Sequence, residues 1–105
     1  MPASLRMTHL EQLIIAVKER NLSKEKLEEY RDDFATLYAQ IMIEKADLEK
    51  AEALFILASE LKTSAGKKEA WRGTEKGQRL IELDHYSKAC EKMISSLKSR
   101  LYSIY

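Results

Sequence analysis

Glu82 and His85 stand three residues apart, the Glu-x-x-His spacing with which helical bundles hold carboxylate-bridged iron. That chemistry needs a second such pair converging on the same interior, and the sequence contains no other. With Leu80 and Leu83 on an apolar seam, Glu82 and His85 project away from it, as surface residues do. His9 lies near the start of the first helix and also reads as a surface residue. Gly66-Lys67-Lys68 lacks the upstream glycine and the following Ser or Thr of a phosphate-binding loop, and it follows a helix where that motif follows a strand. Glu28, Glu29, Asp32 and Asp33 are close enough to pair as acid and base, but Lys24, Lys26 and Arg31 interleave them, the pattern of a solvated helix face. Cys90, the only cysteine, sits between Leu83 and Ile94 on the seam, where a thiol packs as a small apolar group with a raised pKa and no nucleophilic role. These residues predict no catalytic site, no metal and no cofactor.

One segment combines charge with an aromatic ring. Lys67, Lys68, Arg72, Lys76 and Arg79 oppose Glu69 and Glu75 around Trp71, the only tryptophan, and all three glycines, Gly66, Gly73 and Gly77, fall in the same stretch. Cations that follow phosphates beside a ring that stacks on bases are the minimum equipment for sequence-independent single-strand binding. Lys67, Lys68, Trp71, Arg72, Lys76 and Arg79 are therefore the candidate nucleic-acid contacts. In the competing reading, Trp71 folds inward as a hydrophobic plug and the lysines decorate a loop. The glycines mark the place where the chain reverses, since glycine leaves a helix or takes a positive φ without a Cβ penalty.

The elements that would position this segment are helical. The chain has 105 residues, 45% apolar and 33% charged, with one proline, Pro2, and is read as one domain spanning 1–105. Thr8 and Glu11 form a capping box for a short helix over about 9–20, with 1–7 expected to be flexible, and Leu10, Leu13, Ile14 and Val17 make its apolar face. Asn21 and Ser23 are the C-cap and N-cap residues of a two-residue reversal, with Leu22 and Leu27 as a hydrophobic staple. A central helix over about 24–63 carries a seam of Leu27, Tyr30, Phe34, Leu37, Ile41, Glu44, Leu48, Ala51, Phe55 and Ala58. Leu54, Leu57 and Leu61 add a neighbouring stripe that also needs cover. The turn is placed at 64–74, and a last helix over about 75–103 follows the heptad Leu80, Leu83, Ser87, Cys90, Ile94, Leu97, Leu101, Ile104. The fold class is all-α: a long antiparallel helical hairpin with a short N-terminal helix folded back on it. The last helix is expected against the end of the long one, leaving its start to the first helix.

So thin an assembly has little interior per residue, and Tyr30, Phe34, Tyr38, Ile41, Ile43 and Ile56 exceed what two partners hide. They are the expected homo-oligomer interface. Formal charge is +1 overall, but nine Lys/Arg against twelve Asp/Glu in 1–65 give −3, and nine against five in 66–105 give +4, an asymmetry that fits an anionic partner or head-to-tail association. The N-terminus lacks an apolar signal core and no run approaches a membrane span, so the expected location is cytoplasmic.

The stretch from Tyr30 to Tyr105, with Ala51-Glu52-Ala53, Glu60-Leu61-Lys62-Thr63, Lys67-Lys68-Glu69-Ala70-Trp71-Arg72 and the closing run from Lys92 to Leu101, resembles small phage-encoded recombination mediators of the UvsY-like type. The resemblance covers about 70% of the chain and is one of pattern, without a diagnostic motif. It implies a non-enzymatic oligomer in a bacterial host cell that binds single-stranded DNA and assists a recombinase. The alternative is a protein-interaction module, such as an assembly factor, adaptor or small inhibitor, that binds no nucleic acid.

Overall fold

The computed structural model describes residues 2–18 and 22–104, with side chains described for 9–18 and 22–103. Four helices follow in order: α1 Pro2–Val17, α2 Lys24–Ala58, α3 Ser64–Arg72 and α4 Glu75–Ile104. α1 begins earlier than expected, so 2–7 are helical and Thr8 lies inside the helix rather than at its cap. Proline is tolerated in a first helical turn because the N–H it lacks has no partner there anyway. The Thr8 side chain and the Asn21 cap lie outside the described residues. Ser23 does cap α2: its Oγ accepts from the Lys26 N–H at 3.2 Å.

The long helix stops at Ala58, five residues before its expected end. Ser59 takes extended backbone, with φ −71° and ψ 135°, and its hydroxyl accepts from the Leu61 N–H. Thr63 then opens α3, its Oγ1 accepting from Gly66 N–H at 3.0 Å. Hydroxyls that satisfy backbone donors locally compete with helix continuation, and two in succession divert the chain. The expected turn at 64–74 is thus mostly a helix, and only Gly73 and Thr74 of that span are non-helical. No described glycine has a positive φ; Gly73 caps α3 in right-handed conformation at φ −78°. Gly77 meets a steric demand instead. A Cβ there would collide with the Trp71 carbonyl, so glycine lets the first turn of α4 pass against the end of α3.

α4 runs antiparallel to α2 in a register fixed by three polar pairs. Lys45 Nζ lies 2.9 Å from Asp84 Oδ1, the Tyr38 hydroxyl donates to Glu91 Oε1 at 2.8 Å, and Arg79 Nε lies 2.6 Å from Glu44 Oε2. This corrects the expected pairing. Because α3 occupies the end of α2, α4 starts lower and reaches the beginning of the long helix, where Leu101 and Arg31 share a groove. α1 packs on the same stretch, and Arg100 Nη1 donates to the carbonyl of Val17 at its last turn, at 2.7 Å.

Between these three helices lies the core: Leu10, Leu13 and Val17 from α1, Leu27, Phe34, Leu37 and Ile41 from α2, and Leu83, Cys90, Leu97 and Leu101 from α4. Ser87, the one buried polar residue among those described, donates its hydroxyl to the Asp84 carbonyl. The molecule measures 57 × 26 × 17 Å.

Candidate interaction surfaces

Trp71 falls on the inner face of α3 because Lys67, Lys68 and Arg72 take the outer positions of the same short helix. It is 3% exposed, with its ring centroid 5.6 Å from that of Phe55 and the planes tilted by 57°. Tilted aromatic packing of this kind ties α3 to the end of α2. The ring offers no open face to a base, which removes the stacking element from the expected single-strand site. Trp71 lines a groove with Ala51, Leu54, Phe55, Thr74, Glu75 and Lys76.

Arg79 also leaves that site. Its side chain is mostly buried, Nε is bonded to Glu44, and Nη1 lies 3.3 Å from Glu82 Oε2. Burial opposes its charge, but the hydrogen bonds and charges of Glu44 and Glu82 outweigh burial and hold its pKa above the usual arginine value. Nη2 is buried with no hydrogen-bond partner among the described residues. A guanidinium so engaged is a link between α2 and α4 rather than a phosphate contact. Of the six expected residues, Lys68, Arg72 and Lys76 are exposed and Lys67 is half-exposed. Lys68 and Arg72 line one shallow groove with Glu69, whereas Lys76 lines the groove beside Trp71.

The expected oligomer interface also divides. Phe34 and Ile41 are 0% and 1% exposed inside the chain's own core, so neither faces another copy. They are hidden in the core that α2 shares with α1 and α4. Tyr30 and Tyr38 are half-buried against the same core, with the Tyr30 ring under Lys26 and the Tyr38 hydroxyl held by Glu91, whose carboxylate raises the phenol's pKa. Ile56 is half-buried, while Ile43 is 67% exposed.

Ile43 belongs to a surface that the seam reading only touched. Leu54 and Leu57 are 68% and 81% exposed on the same helix, and Leu61 beyond it is also exposed. With them, Thr36, Ala39, Ala46, Lys50 and Ala53 are exposed, so a second heptad line runs through Thr36, Ala39, Ile43, Ala46, Lys50, Ala53 and Leu57. At about 100° per residue this line lies roughly opposite the buried seam, which it follows at an offset of two residues. The signal was legible as three alanines seven apart, but alanine is neutral in hydropathy patterns and the buried seam dominates the count.

The residues examined for chemistry are dispersed. Glu82 is tied to Arg79, His85 is exposed on the outer face of α4, and no three His, Cys, Asp or Glu side chains among those described converge on a metal site. Cys90 is fully buried, and desolvation pushes its thiol up to about 11. Glu29 and Asp32 in the acidic stretch pair with their own helix neighbours Lys26 and Arg31 at the surface. No described helix is long and apolar enough to cross a membrane. No family pattern, curated protein or solved structure matches the chain.

Proposed function

We propose that this protein is a non-enzymatic helical interaction module that binds a protein partner through the outer face of α2. The observation that carries this reading is the exposure of Ile43, Leu54 and Leu57 at 67%, 68% and 81% on one helix face. Aligned large apolar side chains cost solvation free energy unless a partner covers them, and a face flanked by Asp47 and Glu49 has the polar edge of an interface. In this reading the module acts as an adaptor, assembly factor or small inhibitor.

A photo-crosslinking residue at position 57, compared in cells with one at exposed Lys92 of α4, tests it. A discrete crosslinked product at 57 and none at 92 is expected. Only uncrosslinked chain at 57 would remove the proposal.

The single-strand-binding, recombination-mediator reading keeps Lys67, Lys68, Arg72 and Lys76 as its contacts and draws on their accessible positions around α3. It calls for salt-dependent binding to single-stranded DNA that Lys67→Ala/Lys68→Ala/Arg72→Ala abolishes.

A further inference from the structure

We infer that the outer face of α2 pairs antiparallel with the same face of a second copy of this chain. This inference rests on the interaction reading above and names its partner. The exposed line from Thr36 to Leu57 spans three heptads, the shortest length over which a helical seam holds a two-stranded contact. Its composition alternates in size: Ile43, Lys50 and Leu57 occupy one heptad position, and Ala39, Ala46 and Ala53 the other. In an antiparallel pair these positions face each other. Ile43 then meets the second copy's Ala53, Leu57 meets its Ala39, and Met42 meets its Ile56 along one flank. Large residues opposite alanines let two helices approach closely without voids, whereas a parallel pair would stack Ile43 on Ile43 and leave the alanines facing gaps.

Charge selects the same orientation. A parallel pair places Lys50 against Lys50 at a central position. The antiparallel register sets Lys50 opposite the second copy's Ala46, between that copy's Asp47 and Glu49, all exposed in the single chain. Lys45 is held by Asp84 on the α4 side of the helix and acts on Glu49 only within its own chain. Each copy thus brings Asp47, Glu49 and Lys50 to the middle, and each Lys50 lies beside carboxylates of the other copy. Leu57 and Leu54 at one end of the face are covered by Ala39 and its neighbours at the other, which a single chain leaves bare. Self-pairing answers both the apolar exposure and the charge order of this face.

Sedimentation equilibrium at tens of micromolar should give twice the 12.2 kDa chain mass. Leu57→Glu and Ala53→Arg should each weaken the dimer at least tenfold, about 1.4 kcal/mol, with helicity unchanged because both positions are solvent-facing in the single chain. Orientation is read from cysteines, with buried Cys90 left in place. A chain carrying Leu57→Cys should form a disulfide with a chain carrying Ala39→Cys. It should not form one with itself, because at ~1.5 Å per residue the two Leu57 positions lie roughly 27 Å apart in this register. A monomer at these concentrations, or Leu57→Cys linking to itself, overturns the inference. The broader reading fails separately: if the Leu57→Cys thiol of a monomer reacts as slowly as Cys90, the face is covered within the chain and no interaction surface exists.

Discussion

Glu44 accepts a 2.6 Å hydrogen bond from Nε of Arg79, placing a carboxylate and a guanidinium between α2 and α4 at the one polar position of the buried seam. Both side chains are mostly shielded, at 26% and 16% exposure, and Arg79 Nη2 has no hydrogen-bond partner among the described residues. Desolvation weakens such a pair while its geometry specifies which turn of α4 meets which turn of α2. Glu44→Gln should cost about 1 kcal/mol in urea denaturation, since the neutral amide keeps an acceptor for Nε but removes the charge that faces the guanidinium. Glu44→Leu/Arg79→Leu should restore or exceed wild-type stability by replacing a poorly satisfied pair with apolar contact. A double variant less stable than Glu44→Gln would show that the pair stabilises the hairpin outright.

Gly77 and Gly73 separate two reasons for glycine. A Cβ at Gly77 would strike the Trp71 carbonyl, a backbone atom that cannot swing aside, so Gly77→Ala should destabilise by about 2 kcal/mol through forced movement of α3 against α4. A Cβ at Gly73 meets only ordinary contact, 3.5 Å from the Ala70 carbonyl, and its φ of −78° suits any residue. Gly73→Ala should therefore gain about 0.5 kcal/mol by restricting the unfolded chain. Thermal unfolding of the two variants reads the difference directly, and equal losses would contradict the assignment.

Much of this arrangement was legible in the heptads. Leu83, Cys90, Leu97 and Leu101 on α4 and Leu27, Phe34, Leu37 and Ile41 on α2 are buried as their periodicity requires, and Ser23 caps where its side chain predicts. What periodicity did not carry was register. Nothing in the spacing of Leu80 to Leu101 tells which part of a longer helix it meets, because that depends on α3, and α3 arises from two hydroxyl side chains, Ser59 and Thr63, that form only local bonds. The inward position of Trp71 in the candidate site was hidden for the same reason. Once residues 64–72 are helical, Trp71 must choose a face, and the apolar one lies toward Phe55.

The alkaline limb of stability should report Cys90. Burial raises its thiol pKa to about 11 from an unfolded value of ~8.5, so the fold favours the neutral form. Its contribution is complete below the unfolded pKa and is lost as pH rises through the folded one. Denaturation midpoints should fall from about pH 8.5 to 11, and Cys90→Ala should flatten that part of the decline. Tyr38, raised by its bond to Glu91, adds to the fall above its own ordinary value, and Tyr38→Phe separates the two. Iodoacetamide should label Cys90 slowly at neutral pH.

Asp84 shapes the acid limb. It receives Lys45 and Lys88, whose hydrogen bonds and charges hold its carboxyl below the usual aspartate range. The resulting stability is present above the unfolded pKa of ~3.9 and disappears as pH falls through the folded value. Asp84→Asn should lower stability at neutral pH and leave the midpoint unchanged at the lowest pH that retains the fold. A deficit that persists undiminished in acid would mean that Asp84 acts by packing alone.

Trp71 decides between the two roles open to α3. Its ring is the only large apolar group that α3 brings to Phe55, since the remaining side chains of Ser64–Arg72 are small or charged. Trp71→Ala should therefore release α3, while the core between α1, α2 and α4, to which Trp71 does not belong, keeps its packing. Hydrogen exchange should accelerate across residues 64–74 with protection of Leu83, Cys90 and Leu97 nearly unchanged. The same burial sets a spectroscopic expectation: tryptophan emission is blue-shifted, iodide quenches it poorly, and single-stranded DNA leaves it unquenched. Stacking requires the ring to turn outward and forfeit its contact with Phe55, at a cost set by removal of a buried aromatic, ~3–5 kcal/mol, against ~1–3 kcal/mol returned by one stacked base. The balance favours the inward ring. Strong quenching by oligonucleotide at low salt would reverse that conclusion and return α3 to the nucleic-acid reading.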